Sequence, residues 1–125
     1  MKLLVVEDDK SVAAGILQLL ETSGHSVENC TTGTCAISRT REEAFDLILL
    51  DIFLPDIRGY DLIPRIRAVR PDIGIIAMTG YNSRELEAKV RAQGILYYMV
   101  IPFETRTLRD LVDHIERKSS FKNCN

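Results

Sequence analysis

The groups able to do chemistry sit at the ends of apolar runs. Glu7, Asp8 and Asp9 close "KLLVV", Asp51 closes "FDLILL", Thr79 and Gly80 follow "GIIAM", and Ile101 stands before Pro102 after "YYMV". Carboxylates brought to one pocket repel one another. Two unit charges about 4 Å apart cost about 4 kcal/mol at an effective dielectric near 20. A fold keeps such a cluster only with a cation, a proton or a use for it. Oxygen-only donors are hard ligands, which favours magnesium or a similar divalent ion over zinc. Thr79 adds a hydroxyl able to hydrogen-bond an anion placed on Asp51.

The elements that must position these groups alternate regularly. Strands are expected at 2–6, 27–30, 45–50, 74–78 and 97–101, several of them almost continuously apolar, as in strands covered on both faces. Helices are expected at 11–22, near 34–41, at 61–70, 83–93 and 105–118, from apolar residues at helical spacing. Gly24 and Gly94 act as stops. Pro64 is tolerated in a first turn, which makes Asp61 the natural N-cap of the third helix. This order predicts an α/β fold, a (βα)5 doubly wound, flavodoxin-like parallel sheet of five strands with helices on both faces. In such a sheet ligands bind beyond the carboxyl ends of the strands, where the strand order reverses. The acidic residues and Thr79 all fall there.

Composition bounds the rest. A chain of 125 residues with 46% hydrophobic residues is one domain with one core. A net charge of −2 implies no general affinity for nucleic acid or anionic membrane. The N-terminal apolar run is too short for a signal peptide, and no stretch approaches membrane-spanning length, so a cytoplasmic location is expected. Cys30, Cys35 and Cys124 form no CxxC and have no histidine at ligand spacing, and read as small, partly buried thiols. His25 and His114 read as structural or solvated. The segment "RKSSFKNCN" is polar and unpatterned, giving a domain over 1–118 and a tail or linker start over 119–125.

These residues, in this order, resemble the receiver domain of two-component response regulators from residue 2 to about 117. "LLVVEDD" looks like the family's first strand with its acidic pair, Glu7 and Asp8. "DLILLDIFLPDIRGYDL" looks like the phosphoacceptor segment, with Asp51 as acceptor, Pro55 four residues on and Gly59 eight on. "IIAMTGY" supplies the switch hydroxyl, Thr79, and Tyr98 stands at the family's rotating aromatic. The resemblance implies Mg2+ held by Asp8, Asp51 and the backbone carbonyl of Phe53, with Glu7 acting through water. It implies a sensor histidine kinase or phosphotransfer protein as donor and a downstream effector domain or protein as reader. It also implies a switching face made of the fourth helix, fifth strand and fifth helix, where a homodimer could form and where Leu96 and Tyr97 fall. Such a domain is a phosphoacceptor switch rather than an enzyme, limited to self-phosphorylation and self-dephosphorylation.

Two departures stand out. The family places a lysine before the fifth-strand proline, and this chain has Ile101, an apolar side chain expected to point at the carboxylates. Lys10, Arg58 and Arg84 are the nearest alternative cations in sequence. Phe53 and Tyr81, each two residues past a site residue, stand at positions that flank the phosphoryl group in the family, where by that resemblance two aromatics would obstruct the attacking water. The alternative is a degenerate receiver, an interaction module independent of phosphorylation because of Ile101. Other chemistries fit less well. Haloacid-dehalogenase phosphatases need a general acid at the position of Phe53, and a flavin phosphate would meet Glu7–Asp9.

Overall fold

The computed structural model describes the backbone of residues 1–123 and the side chains of residues 1–118. Strands and helices alternate as β1 (Lys2–Val6), α1 (Lys10–Thr22), β2 (Ser26–Cys30), α2 (Gly33–Glu42), β3 (Leu47–Asp51), α3 (Gly59–Val69), β4 (Gly74–Thr79), α4 (Arg84–Arg91), β5 (Tyr97–Val100) and α5 (Thr105–Asn123). Every pairing is parallel and the order is β2-β1-β3-β4-β5, the doubly wound sheet the sequence predicts. The strand order reverses at β1 and β3, so their carboxyl ends open the crevice where such folds bind ligands.

Successive strand residues point to opposite faces, and both faces are covered. Leu4, Val6, Ile48, Leu50, Ile75 and Ala77 pack with Leu62, Ile63 and Ile66 of α3, Ala36 of α2 and Val90 of α4. Leu3, Val5, Leu47, Leu49, Ile76 and Met78 pack with Ile16 and Leu20 of α1 and Leu108 and Val112 of α5. That two-sided burial is why β1, β3 and β4 show no apolar–polar alternation.

Three expectations change. Asp61 does not cap α3: Arg58 holds the N-cap position without a side-chain bond, and Asp61 lies in the first turn. The helix starts early because the Gly59 amide donates to the Ile52 carbonyl at 2.7 Å, and a Cβ there would lie 2.9 Å from Ile52 Cα. Pro64 consequently sits inside the helix, where its missing N–H leaves the Tyr60 carbonyl without its usual donor. At the C-terminus, α5 continues through Asn123, so most of the segment read as a tail is helical. Finally, Cys30 and Cys35 are not free thiols. The end of β2 and the first turn of α2 bring their Cα atoms to 5.7 Å, and the two are joined as a disulfide. Cys124 lies outside the described residues.

Candidate metal centre and its rim

Register builds the site. Val6 of β1 pairs with Leu50 of β3, so one residue further Glu7 comes beside Asp51. Carboxylate oxygens of Glu7, Asp8 and Asp51 all lie within 4.8 Å of one another. Glu7 is 2% exposed and Asp51 9%, while Asp8 faces solvent. Burial pushes the Glu7 carboxyl up to about 9, reinforced by Asp51 as hydrogen-bond partner and as a neighbouring charge, against a lowering contribution from the Asp9 backbone. At neutral pH, then, a proton on Glu7 relieves the crowding in the metal-free pocket. Asp9 leaves the cluster: it caps α1, accepting from the Ser11 and Val12 amides at 2.9 and 3.2 Å. The donors that remain are all oxygen, mostly shielded from water and mutually repulsive. That donor set fits a hard divalent cation, and the proton on Glu7 marks the charge such an ion would offset.

The rim is formed by the loops after β3 and β4. Asp51 Oδ1 accepts from the Phe53 amide at 3.1 Å. Thr79 is fully buried, and its Oγ1 accepts from the Tyr81 amide at 3.0 Å, which leaves its own proton to donate. The rings of Phe53 and Tyr81 meet edge to face with centroids 5.5 Å apart, and Tyr81 is 76% exposed. Arg58 is engaged in the same loop: its guanidinium lies 5.0 Å from the Phe53 centroid and donates to the Leu54 carbonyl at 3.1 Å. Tyr98 packs half-buried against the α2–α4 side of the sheet, and its hydroxyl donates to Asn82 Oδ1 at 2.9 Å.

Ile101 behaves differently from the sequence expectation. Its amide donates to the Thr79 carbonyl at 2.7 Å, continuing the β4–β5 ladder by one bond. Its side chain packs into the α1–α5 layer and lines, with Val12, Ile16, Phe103 and Leu108, a cavity of about 190 Å³. The apolar residue has found an apolar neighbourhood instead of facing the carboxylates. On the outer face Leu96 is 46% exposed, whereas Tyr97 packs half-buried against the α1–α5 layer.

Sequence reasoning missed Asp56. Its carboxylate accepts from the Gly33 and Thr34 amides at 2.9 and 3.0 Å and from the Thr34 hydroxyl at 2.9 Å. These bonds hold its carboxyl below the usual range, the Gly33 amide most of all. They tie the loop after Asp51 to the start of α2. The contact spans 22 or 23 residues of sequence, so no local pattern announces it.

Comparison with known proteins shows which family the chain and its fold resemble. The family model described as "Response regulator receiver domain" matches residues 3–113. The chain is 34% identical over 92% of its length to the DNA-binding transcriptional regulator NtrC of Azospirillum brasilense, of which it covers 23%. It is 33% identical to the response regulator receiver protein CpdR of Brucella abortus, over 93% of this chain and 94% of that one. Among solved structures, a two-component response regulator from Clostridium difficile superposes with a TM-score of 0.91 at 28% identity, over 95% of this chain and 98% of that one. The chain thus spans about a quarter of the larger regulators it matches and nearly all of CpdR.

Proposed function

The chain belongs to the response-regulator receiver family, and on that premise we propose that Asp51 takes a phosphoryl group from a sensor histidine kinase or a phosphotransfer protein. The observation that carries this reading is the meeting of Glu7, Asp8 and Asp51 at the carboxyl ends of β1 and β3. An Asp51 carboxylate oxygen attacks the phosphorus, and the donor's imidazole leaves as the old bond breaks. Asp8, Asp51 and the Phe53 carbonyl would hold Mg2+, with Glu7 acting through water. Bound there, the ion supplies positive charge to the transferring phosphoryl oxygens.

The remaining residues have assigned parts. The Thr79 hydroxyl donates its free proton to the phosphoryl group. That movement draws on the loop holding Asn82, releases the Tyr98 hydroxyl and lets its ring turn inward. The face built from α4, β5 and α5 changes shape and is read by an effector domain or protein, or by a second copy. The domain takes in 1–118, with α5 continuing past that bound to Asn123, and works in the cytoplasm. Among the described residues no helix is long and apolar enough to cross a membrane. At the acidic pocket it is a switch whose chemistry is gaining and losing its own phosphoryl group. The reading as a module independent of phosphorylation gains no support from the relatives.

Ile101 sets the rate. Without an ammonium at that position one stabiliser of the transition-state charge is missing, which typically lowers a rate by about 10²–10³-fold. The test is intact mass over time with magnesium and acetyl phosphate. Wild type is expected to gain one phosphoryl group slowly, Asp51→Asn none, and Ile101→Lys the same group faster by about two orders of magnitude. An adduct that persists in Asp51→Asn would remove Asp51 from its role. Equal rates in wild type and Ile101→Lys would show that the missing lysine is not what limits transfer.

A further inference from the structure

The β2–α2 turn carries chemistry that the acidic pocket does not use. Cys30 is the last residue of β2 and is 2% exposed. Cys35 is the third residue of α2 and is only half-buried. Their Cα separation of 5.7 Å lies within the range a disulfide needs. The two sulfurs differ in circumstance. Cys35 is partly exposed at the edge of the core and stands in the first helical turn, where its amide donates to the Thr32 cap at 3.1 Å. The amides of that turn are taken by Asp56 and Thr32, so it is access that sets Cys35 apart. Cys30 belongs to the apolar core.

Both ends of the bridge also touch the pocket's supports. The Cys30 carbonyl accepts the Glu7 amide at 2.9 Å. On the other side, the first two amides of α2 are the ones bound to Asp56, and Gly33 lies against the Ile57 side chain, which leaves no room for a Cβ. The bridge therefore joins the end of β2, whose last carbonyl holds the Glu7 amide, to the helix start that secures the loop after Asp51.

We propose that Cys30 and Cys35 are a reversible dithiol–disulfide pair, giving this receiver an oxidative input separate from phosphoryl transfer. With a hydroperoxide as oxidant, the Cys35 thiolate attacks the peroxide oxygen; the O–O bond breaks and Cys35 becomes a sulfenic acid as hydroxide leaves and is protonated. The Cys30 sulfur then attacks Cys35 sulfur. The S–S bond forms, the S–O bond breaks, and water leaves with the Cys30 proton. In sum two thiols and one hydrogen peroxide give one disulfide and two waters. For the return, a dithiol reductant attacks the accessible Cys35 sulfur and displaces the Cys30 thiolate, which takes a proton. The reductant's second thiol then resolves the mixed disulfide. Oxidation fastens the first turn of α2 to β2 and so steadies the Gly33 and Thr34 amides on Asp56.

The test uses the whole chain carrying Cys124→Ser, folded and without denaturant. Dithiothreitol is expected to open the bridge with a gain of two hydrogens by mass, leaving one thiol, Cys35, open to alkylation in the folded protein and Cys30 only after denaturation. One equivalent of hydrogen peroxide is expected to close it again with loss of two hydrogens. Hydrogen exchange at Gly33 and Thr34 should be slower in the oxidised form. In Cys35→Ser, Cys30 should resist both peroxide and alkylation, which shows that Cys35 is the entry point without disturbing the core. Reduction only in denaturant would make the bridge a permanent cross-link and overturn the proposal. So would over-oxidation of Cys35 with no bridge formed. Equal exchange in the two forms would overturn the link to Asp56. None of these readouts depends on phosphorylation of Asp51, so they stand apart from the reading proposed for that residue.

Discussion

On the function proposed, water reaches a phosphoryl group on Asp51 past the rim where Phe53 and Tyr81 stand. Their edge-to-face contact, with Arg58 beside the Phe53 ring, makes this cover a packed unit rather than two loose side chains. Replacing Phe53 with asparagine removes the ring contact and adds a polar group able to orient water. Phosphoaspartate in Phe53→Asn is therefore expected to hydrolyse several-fold faster than in wild type, followed by loss of the adduct mass after removing acetyl phosphate. An unchanged lifetime would show that the aromatics do not govern access. At this scale the sequence was informative about identity and poor on direction. Asp51 is legible because a charge ends a wholly buried run, which demands a reason. The direction of Ile101 is not legible, since it depends on how the segment after β5 settles against α1 and α5. The Cys30–Cys35 bridge was misread because the short spacing gave no sign that a strand end and a helix start would meet.

Strands were legible as continuous apolar runs where burial is two-sided, as in β1 and β4, and helices from their period where it is striped, as in α1. Element ends were harder, and α3 shows why. Pro64 suggested a start at Asp61, but the determining contact is Gly59 against the backbone of Ile52, a tertiary approach that no helix-capping rule contains. The same contact makes a prediction. In Gly59→Ala the new methyl must displace the β3 exit or the first turn of α3, an overpacking cost of about 1–3 kcal/mol. A urea titration should show a lower midpoint by the matching amount. Because the strained segment leads directly from Asp51, acetyl phosphate labelling should slow as well. A variant as stable as wild type would mean that the loop has room the geometry does not show.

Across the whole molecule, carboxylates pull the pH dependence of stability in opposite directions. Asp56, held low by the Gly33 and Thr34 amides, and Glu43, held low by Lys2, contribute stability that is present above their ordinary values of 3.8 and 4.5 and lost as pH falls through their folded values. Glu7 works the other way. Its folded value is raised from 4.5 to about 9, so the native state holds a proton that the unfolded chain has released. Its contribution is complete below 4.5 and is lost as pH climbs toward 9. Metal-free protein should therefore be most stable in mild acid and weaken steadily through neutrality, unlike a protein whose optimum is set by its ion pairs. Urea midpoints measured in EDTA at a series of pH values test this. In Glu7→Gln, which keeps a neutral hydrogen-bonding group in the same place, the decline between pH 4.5 and 9 should flatten while the acid limb stays. Parallel curves for the two proteins would mean that Glu7 is ionised at neutral pH and that the pocket tolerates its charges by some other route. On the function proposed, magnesium held by Asp8 and Asp51 would add positive charge beside Glu7 and favour its ionised form, so a saturating concentration should also flatten the wild-type curve. The cluster that prepares the site for a cation is then the same feature that makes the metal-free fold sensitive to pH.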